Sequence, residues 1–195
     1  MLSHPRKLFF IGGLISSLVL VGFGVAMIVI GYNGINEVHD TLRQENITTA
    51  ADSAEPGKPV TDGATARVQA NVMREHTLKQ TNGLTYSQMG SYQLASDPKD
   101  PKGTSDKNLA AKDANGNPIA NGPRNTWVTE TALTTALNTA YFAENVGTFA
   151  IVVGVALLLT GTGFTVLTIG AFRFSTEKET EKGGAGAMEL AGTQS

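Results

Sequence analysis

The sequence predicts an all-α membrane protein: two transmembrane helices with helical extensions outside the cytoplasm and a small helical outer domain. Two long apolar stretches, one toward each end of the chain, contain no charged residue. The segment between them is polar, and the whole chain has one tryptophan and four tyrosines. Because this segment has too few large apolar residues for an independent core, a small bundle on two protruding helices is the economical arrangement.

The second apolar stretch runs from Phe149 to Phe172, and we assign residues 148–172 to a transmembrane helix. As a helix it is about 36 Å long, which exceeds a hydrocarbon thickness of about 30 Å. Glycines such as Gly154 and Gly161 weaken a soluble helix but are common in membrane helices. The composition therefore favours a membrane span.

The first apolar stretch predicts the other transmembrane helix at residues 8–32, after an N-terminus at 1–7. Arg6 and Lys7 precede it, as basic residues do in a signal peptide. The apolar region is too long for a signal peptide, and no small-residue cleavage pattern closes it. An uncleaved anchor is therefore the favoured interpretation.

Basic residues near the ends of the two spans predict the topology, because cytoplasmic flanks are enriched in Lys and Arg. One side has only Arg43 near a span end. The other side has Arg6, Lys7, Arg173, Lys178 and Lys182. We expect a plasma-membrane protein with both termini in the cytoplasm and residues 33–147 outside.

Small residues recur four apart in both spans, a spacing that lets helix backbones approach closely. The pairs are Gly12/Ser16, Gly13/Ser17, Gly22/Ala26 and Ala150/Gly154. We expect the two spans to pack against each other. The alternative is that one small-residue face binds another protein.

Two helical segments are predicted in the first part of the outer domain. The first helix continues beyond its span to about Ile47, because apolar residues recur there at helical spacing. A separate helix is predicted from Pro59 to Gly83. Thr61 or Asp62 is suited to cap its start, and Asn82-Gly83 is suited to its end.

The rest of the chain alternates between turn-rich and helical composition. Residues 84–94 suit a short helix or an extended segment. Residues 97–122, with DPKDPKG and DANGNPIANG, predict a surface insertion that is either ordered in part or simply flexible. From Thr126 to Phe172 no proline intervenes, so we expect one long helix, bent if anywhere at Gly147. Residues 173–195 are charged and then small and polar, which predicts a disordered cytoplasmic tail.

Three residues on the approach to the second span form a candidate contact surface: Trp127, Leu137 and Tyr141. They share one helical stripe with Glu130 and Thr134. A thin bundle leaves large aromatic side chains partly exposed, and such residues are typical anchors of protein interfaces. The equally open alternative is that Trp127 belongs to the bundle's own core.

Residues that could carry chemistry are few. The chain has no cysteine, hence no disulfide or thiolate metal site, and its net charge of -2 argues against nucleic-acid binding. His39 and His76 stand beside Asp40 and Glu75, so an iron site of two histidines and one carboxylate would require their helices to meet. Neither histidine has a helical histidine partner, and we expect no metal, cofactor or catalytic residue.

Three short motifs follow one another along the outer segment. They are Leu42, Glu45 and Ile47 after the first span, Gln69-Ala70 with His76 six residues on, and Gly83-x-Thr85-Tyr86. In these motifs the chain resembles a family of small two-span membrane proteins of actinobacteria, often labelled aromatic ring-opening dioxygenase. The insertion at 97–122 departs from the family pattern. The resemblance implies a membrane protein without established catalytic or binding residues. Because the sequence offers no credible iron site, we expect the label to be a misannotation.

The sequence therefore predicts a non-enzymatic integral membrane protein that acts through protein contacts, as an accessory subunit of a cell-envelope or respiratory membrane complex. Its expected partners are the lipid bilayer and either a membrane protein or further copies of the chain. The alternative is a membrane-anchored, iron-dependent oxygenase. A channel or transporter is disfavoured because neither span contains Asp, Glu, His, Lys or Arg.

Overall fold

The computed structural model describes the backbone of residues 4–192 and the side chains of residues 8–173. Within this range the regular secondary structure is helical and there is no strand, which confirms the all-helical prediction. The elements are α1 (His4–Glu45), α2 (Gly63–Gln80), a short 3-10 helix (Tyr86–Gln88) and α3 (Gly122–Gly192). α1 and α3 are both long and apolar enough to cross a membrane.

The chain divides into two compact units. The apolar unit consists of Met1–Asn33 and Gly147–Ser195, which hold the first part of α1 and the last part of α3. The polar unit is Gly34–Val146 and holds the remaining parts of both helices, all of α2 and the irregular segments.

α1 and α3 contain the predicted spans and continue beyond them. α1 continues to Glu45, as predicted, and the residue after it, Asn46, has a left-handed φ of 50° of the kind that ends helices. α3 begins at Gly122, before the predicted start at Thr126, because Pro123 fits a first helical turn, where its missing N–H leaves no bond unmade. The helix passes through Gly147 without a break.

The backbone of α3 is helical to Gly192, where the composition predicted a disordered tail at 173–195. Glu and Lys before Gly183 are good helix formers, the glycines after them are poor ones, and no proline follows Pro123 to interrupt the backbone. The side chains of residues 1–7 and 174–195 lie outside the described part. The assignment of both termini to the cytoplasm stays a prediction.

In the apolar unit, α1 and α3 pack antiparallel along small residues spaced seven apart, which confirms that the two helices pair. The facing pairs are Gly31 with Gly147, Gly24 with Gly154, and Ser17 with Gly161. A Cβ atom on Gly24 would lie 2.8 Å from the carbonyl oxygen of Gly154, so the backbones are in contact. The Ser17 hydroxyl donates a 2.7 Å hydrogen bond to the carbonyl of Gly161.

These facing pairs form the seam between α1 and α3, and the four-residue spacing in the sequence predicted only part of it. Gly13 lies against Thr168, and Gly154 is in the seam, but a Cβ atom on Gly12 or Gly22 would meet nothing within 4 Å. A repeat of seven keeps small residues on one line between two helices that wind around each other, whereas a repeat of four drifts off that line.

In the polar unit, α2 begins and ends as predicted. The Asp62 carboxylate accepts a hydrogen bond from the backbone N–H of Thr65, and the Thr65 hydroxyl accepts one from the backbone N–H of Asp62. This capping box satisfies donors that the first turn leaves unpaired. At the other end Gly83 donates from its N–H to the carbonyl of Leu78, and Asn82 has a left-handed φ of 52°.

The core of the polar unit is small and built from all three helices. A glycine at the start of α2 permits close contact with α3, because a Cβ atom on Gly63 would lie 2.8 Å from the Cα atom of Tyr141. The buried cluster is Leu42, Val60, Ala66, Ala70 and Leu137, with Val38, Ile47, Met73 and Ala140 packed around it.

The insertion at 97–122 follows the first of its two predicted alternatives and is not simply flexible, because backbone hydrogen bonds join it to the preceding segment. Antiparallel bridges connect Tyr92 with Thr104 and with Ala120, and Leu94 with Ala110. The turn signals close the loops between these bridges, because the aspartate side chains accept hydrogen bonds from backbone N–H groups two residues on.

Candidate functional site

Trp127 is a core residue of the polar unit rather than a partly exposed contact. Only 3% of its surface is exposed, and its indole N–H donates a 2.9 Å hydrogen bond to the carbonyl of Leu84. The guanidinium carbon of Arg74 lies 5.3 Å from the ring centroid. The segment that follows α2 therefore covers the indole ring, which the helical stripe alone did not predict.

The other two residues of the candidate contact surface are also engaged within the chain. Leu137 is buried in the core cluster. Tyr141 is half-buried, with the guanidinium carbon of Arg67 4.8 Å from its ring centroid. The stripe of α3 that includes Trp127 thus faces the chain's own core, and the expectation of an exposed surface there is wrong.

Glu144 joins two elements that the sequence did not connect. Its carboxylate accepts a hydrogen bond from the backbone N–H of Gly63 and lies 3.1 Å from Nε2 of His39. The N–H of Gly63 is one of those that the first turn of α2 leaves unpaired, and a carboxylate is favoured at that position. The stripe of Trp127 and Tyr141 advances alternately by three and four residues, and Glu144 is its next position. Extending the stripe by three residues would therefore have predicted that Glu144 faces the other helices.

His76 lies in a separate pair. Its Nε2 atom is 2.8 Å from a carboxylate oxygen of Asp52, in the loop before α2. The hydrogen bond from His76 holds the pKa of Asp52 below its usual value of 3.8. His39 and His76 are therefore each paired with a different carboxylate. Among the described residues no group of three or more His, Cys, Asp and Glu side chains is arranged to hold a metal ion.

Asp62 also has a lowered pKa. Partial burial of its carboxyl group is the largest single influence and raises the pKa, whereas hydrogen bonds from the backbone N–H and the hydroxyl of Thr65, together with the electrostatic influence of His39, lower it. The resulting pKa of Asp62 is below its usual value of 3.8. The carboxylate that caps α2 is therefore stabilised in its charged form.

Glu130 is a buried carboxylate on the core stripe of α3. It is 4% exposed, and its Oε1 atom has no hydrogen-bond partner among the described residues. Its Oε2 atom is 3.4 Å from the hydroxyl of Thr131. The stripe spacing placed Glu130 toward the core, but a carboxylate gives no sequence signal for burial without a partner.

Comparison of the chain with protein-family models, with curated proteins and with solved structures gives no match.

Proposed function

We propose that this chain is an integral membrane protein whose two apolar helices cross the bilayer as an antiparallel pair. In this proposal both termini lie in the cytoplasm and the polar unit lies outside the plasma membrane. The protein acts through protein contacts and not through catalysis, as an accessory subunit of a cell-envelope or respiratory membrane complex. The resemblance to small two-span membrane proteins of actinobacteria is part of the same proposal.

The observation that carries the membrane proposal is the exposed apolar surface of the apolar unit. Phe9, Leu18 and Leu159 are each at least 70% exposed, and most residues of both apolar stretches are not buried. A soluble protein rarely exposes so large a continuous apolar surface. A bilayer covers it without any further protein element.

The seam of the apolar unit supports an anchoring role. Backbone contact at Gly24 and Gly154 leaves no space between the helices for a solute. No ionisable residue occurs from residue 8 to residue 31 or from 148 to 172, and such residues mark proton and ion paths in membrane proteins. Pairing of the helices therefore supports an anchor for the polar unit rather than a pathway.

Introduced cysteines test the topology, since the native chain has none. We expect an impermeant thiol reagent to label the Ala54→Cys variant on intact cells, because Ala54 is exposed in the polar unit. Ser3→Cys and Ser175→Cys should react only after the cells are opened. Labelling of either of these on intact cells would contradict the proposed orientation.

Metal analysis and copurification test the mode of action. Protein purified in a mild detergent should contain no stoichiometric iron and should bring down a defined membrane protein or further copies of itself. Iron that disappears when His39 and His76 are replaced by Ala would instead favour the oxygenase. His4→Ala, outside the polar unit, is the matched control.

A further inference from the structure

One face of α3 in the polar unit is exposed and uncharged. From residue 125 to residue 146, no exposed position carries a charge, and the two charged side chains of this stretch, Glu130 and Glu144, are directed into the unit. The exposed positions hold Asn125, Thr126, Val128, Thr129, Thr131, Ala132, Leu133, Thr135, Ala136, Asn138, Thr139, Phe142, Asn145 and Val146.

The other two helices of the polar unit are different. The exposed positions of α1 after Gly34 include Glu37, Asp40 and Arg43, and those of α2 include Arg67 and Lys79, with further charges between them. The three helices belong to one unit, so a general property of the surface does not explain the difference. The lack of charge is specific to α3.

Helix stability does not explain the composition of this face either. Thr, Val and Asn are weaker helix formers than Ala, Glu, Lys or Gln, and an exposed position leaves the choice free. Depletion of charge is instead the compositional mark of the buried centre of a protein interface. The face is therefore suited to being covered.

The residues on this face form a regular stripe. Val128, Ala132, Thr135 and Thr139 are separated alternately by four and three positions, and Phe142 and Val146 continue the series. This is the a/d spacing of a coiled coil, with Ala132, Thr139 and Val146 at one position of the repeat and Val128, Thr135 and Phe142 at the other. The stripe lies on the opposite side of α3 from the core stripe of Trp127 and Leu137, because the two sets are offset by about half a turn.

We propose that this stripe, the outer stripe, pairs in parallel with the outer stripe of a second copy of the chain. Identical faces oppose each other at a twofold axis, so a charged face would place like charges together, and the uncharged outer stripe avoids this. The parallel direction rests on the proposed function, since copies inserted in one membrane share one orientation.

Cysteine cross-linking tests the pairing in membranes. In a parallel dimer the two Thr139 side chains meet near the axis, within the Cβ separation of about 4 Å that a disulfide requires. We expect mild oxidation of membranes to convert most of the Thr139→Cys protein into a covalent dimer. Thr41→Cys, on the exposed and charged face of α1, is the matched control and should give at least about tenfold less.

A charge substitution tests the same contact without cross-linking. Thr139→Glu places two carboxylates at the axis, and we expect the mass of the protein–detergent particle, measured by light scattering, to fall from two copies to one. Thr41→Glu should remain dimeric. Circular dichroism should show unchanged helicity in both variants, which separates loss of pairing from loss of folding.

Three results would overturn the inference: a monomeric wild-type protein, equal cross-linking at positions 139 and 41, or a dimer that survives Thr139→Glu. Membrane extraction with alkaline carbonate distinguishes this failure from failure of the proposed function. A protein that stays in the membrane but is monomeric refutes the pairing alone, whereas a protein released by carbonate refutes the membrane proposal itself.

Discussion

The contacts inside the apolar unit and the contacts inside the polar unit are of opposite kinds. In the apolar unit two helices meet where side chains are missing, at Gly24, Gly31 and Gly154, so that backbone atoms touch. In the polar unit a few large or polar side chains fill space and pair with backbone groups. Trp127 bonds to the carbonyl of Leu84, and Glu144 bonds to the N–H of Gly63.

The difference follows from what surrounds each unit under the proposed function. Between lipid chains apolar side chains gain little by meeting each other, and close backbone contact supplies the attraction. In water the burial of apolar surface stabilises the fold, but irregular segments leave N–H and C=O groups that must be paired. Enlarging a glycine of the seam should therefore destabilise the apolar unit, and truncating a buried side chain should destabilise the polar unit.

Truncation in the polar unit should have the largest effect. Trp127→Ala removes a side chain that is 3% exposed, and we expect a loss of about 3–5 kcal/mol in the free energy of unfolding. Trp127→Phe keeps most of the ring but loses the hydrogen bond to Leu84 and should lose roughly 1–3 kcal/mol. Thermal unfolding followed by far-ultraviolet circular dichroism, which reports the backbone and not the tryptophan, measures the stability of both variants. An unchanged melting temperature for Trp127→Ala would contradict the core assignment.

Enlargement in the apolar unit should have an intermediate effect. In Gly154→Ala the new Cβ atom would lie 2.7 Å from the carbonyl oxygen of Gly24, and we expect a loss of about 1–3 kcal/mol. The matched control is Gly163→Ala, whose Cβ atom meets nothing within 4 Å. It should be neutral or stabilise the helix by about 0.5–1 kcal/mol.

Unfolding of both glycine variants in the same detergent, followed by circular dichroism, makes this comparison. Opposite signs at Gly154 and Gly163 are the expected outcome. Equal effects at the two positions would mean that the seam at Gly154 does not hold the helices together.

Removal of the α2 cap should have the smallest effect and a defined dependence on pH. Asp62→Ala should destabilise the polar unit by about 1 kcal/mol at neutral pH. The folded-state pKa of Asp62 is below its usual 3.8, so the charged carboxylate contributes stability above that value. This contribution is lost as the pH falls through the lowered folded pKa.

Asp62→Asn separates the cap from the charge, because Asn caps a helix about as well as Asp but does not titrate. Melting temperatures measured from about pH 5 to about pH 2 should fall less steeply for Asp62→Asn than for the wild type. Asp52, whose pKa is also lowered, contributes in the same direction in both proteins and sets the common background. Identical slopes would show that Asp62 does not couple folding to protonation.

The helices themselves were predictable because their signals are local. A long apolar run without charges predicts a helix over the residues of the run itself, and this accounts for α1 and for most of α3. The limits of α2 followed from Asp62 at its start and Asn82-Gly83 at its end, since capping involves only neighbouring residues. The order of residues 97–122 was left open by the sequence, because turn signals indicate where a chain reverses and not which strand-like segments it then pairs with.

By itself the sequence determined the three long helices, the apolar stretches of two of them and the capped ends of α2, because each depends on residues within a few turns of one another. Only the tertiary structure decided which glycines form the seam, that Trp127 faces inward and that Glu144 meets both Gly63 and His39. These contacts join residues far apart in the chain, and they depend on the register and rotation of one helix against another. Many registers bury similar apolar surface, and only the packing of all the segments together selects one of them.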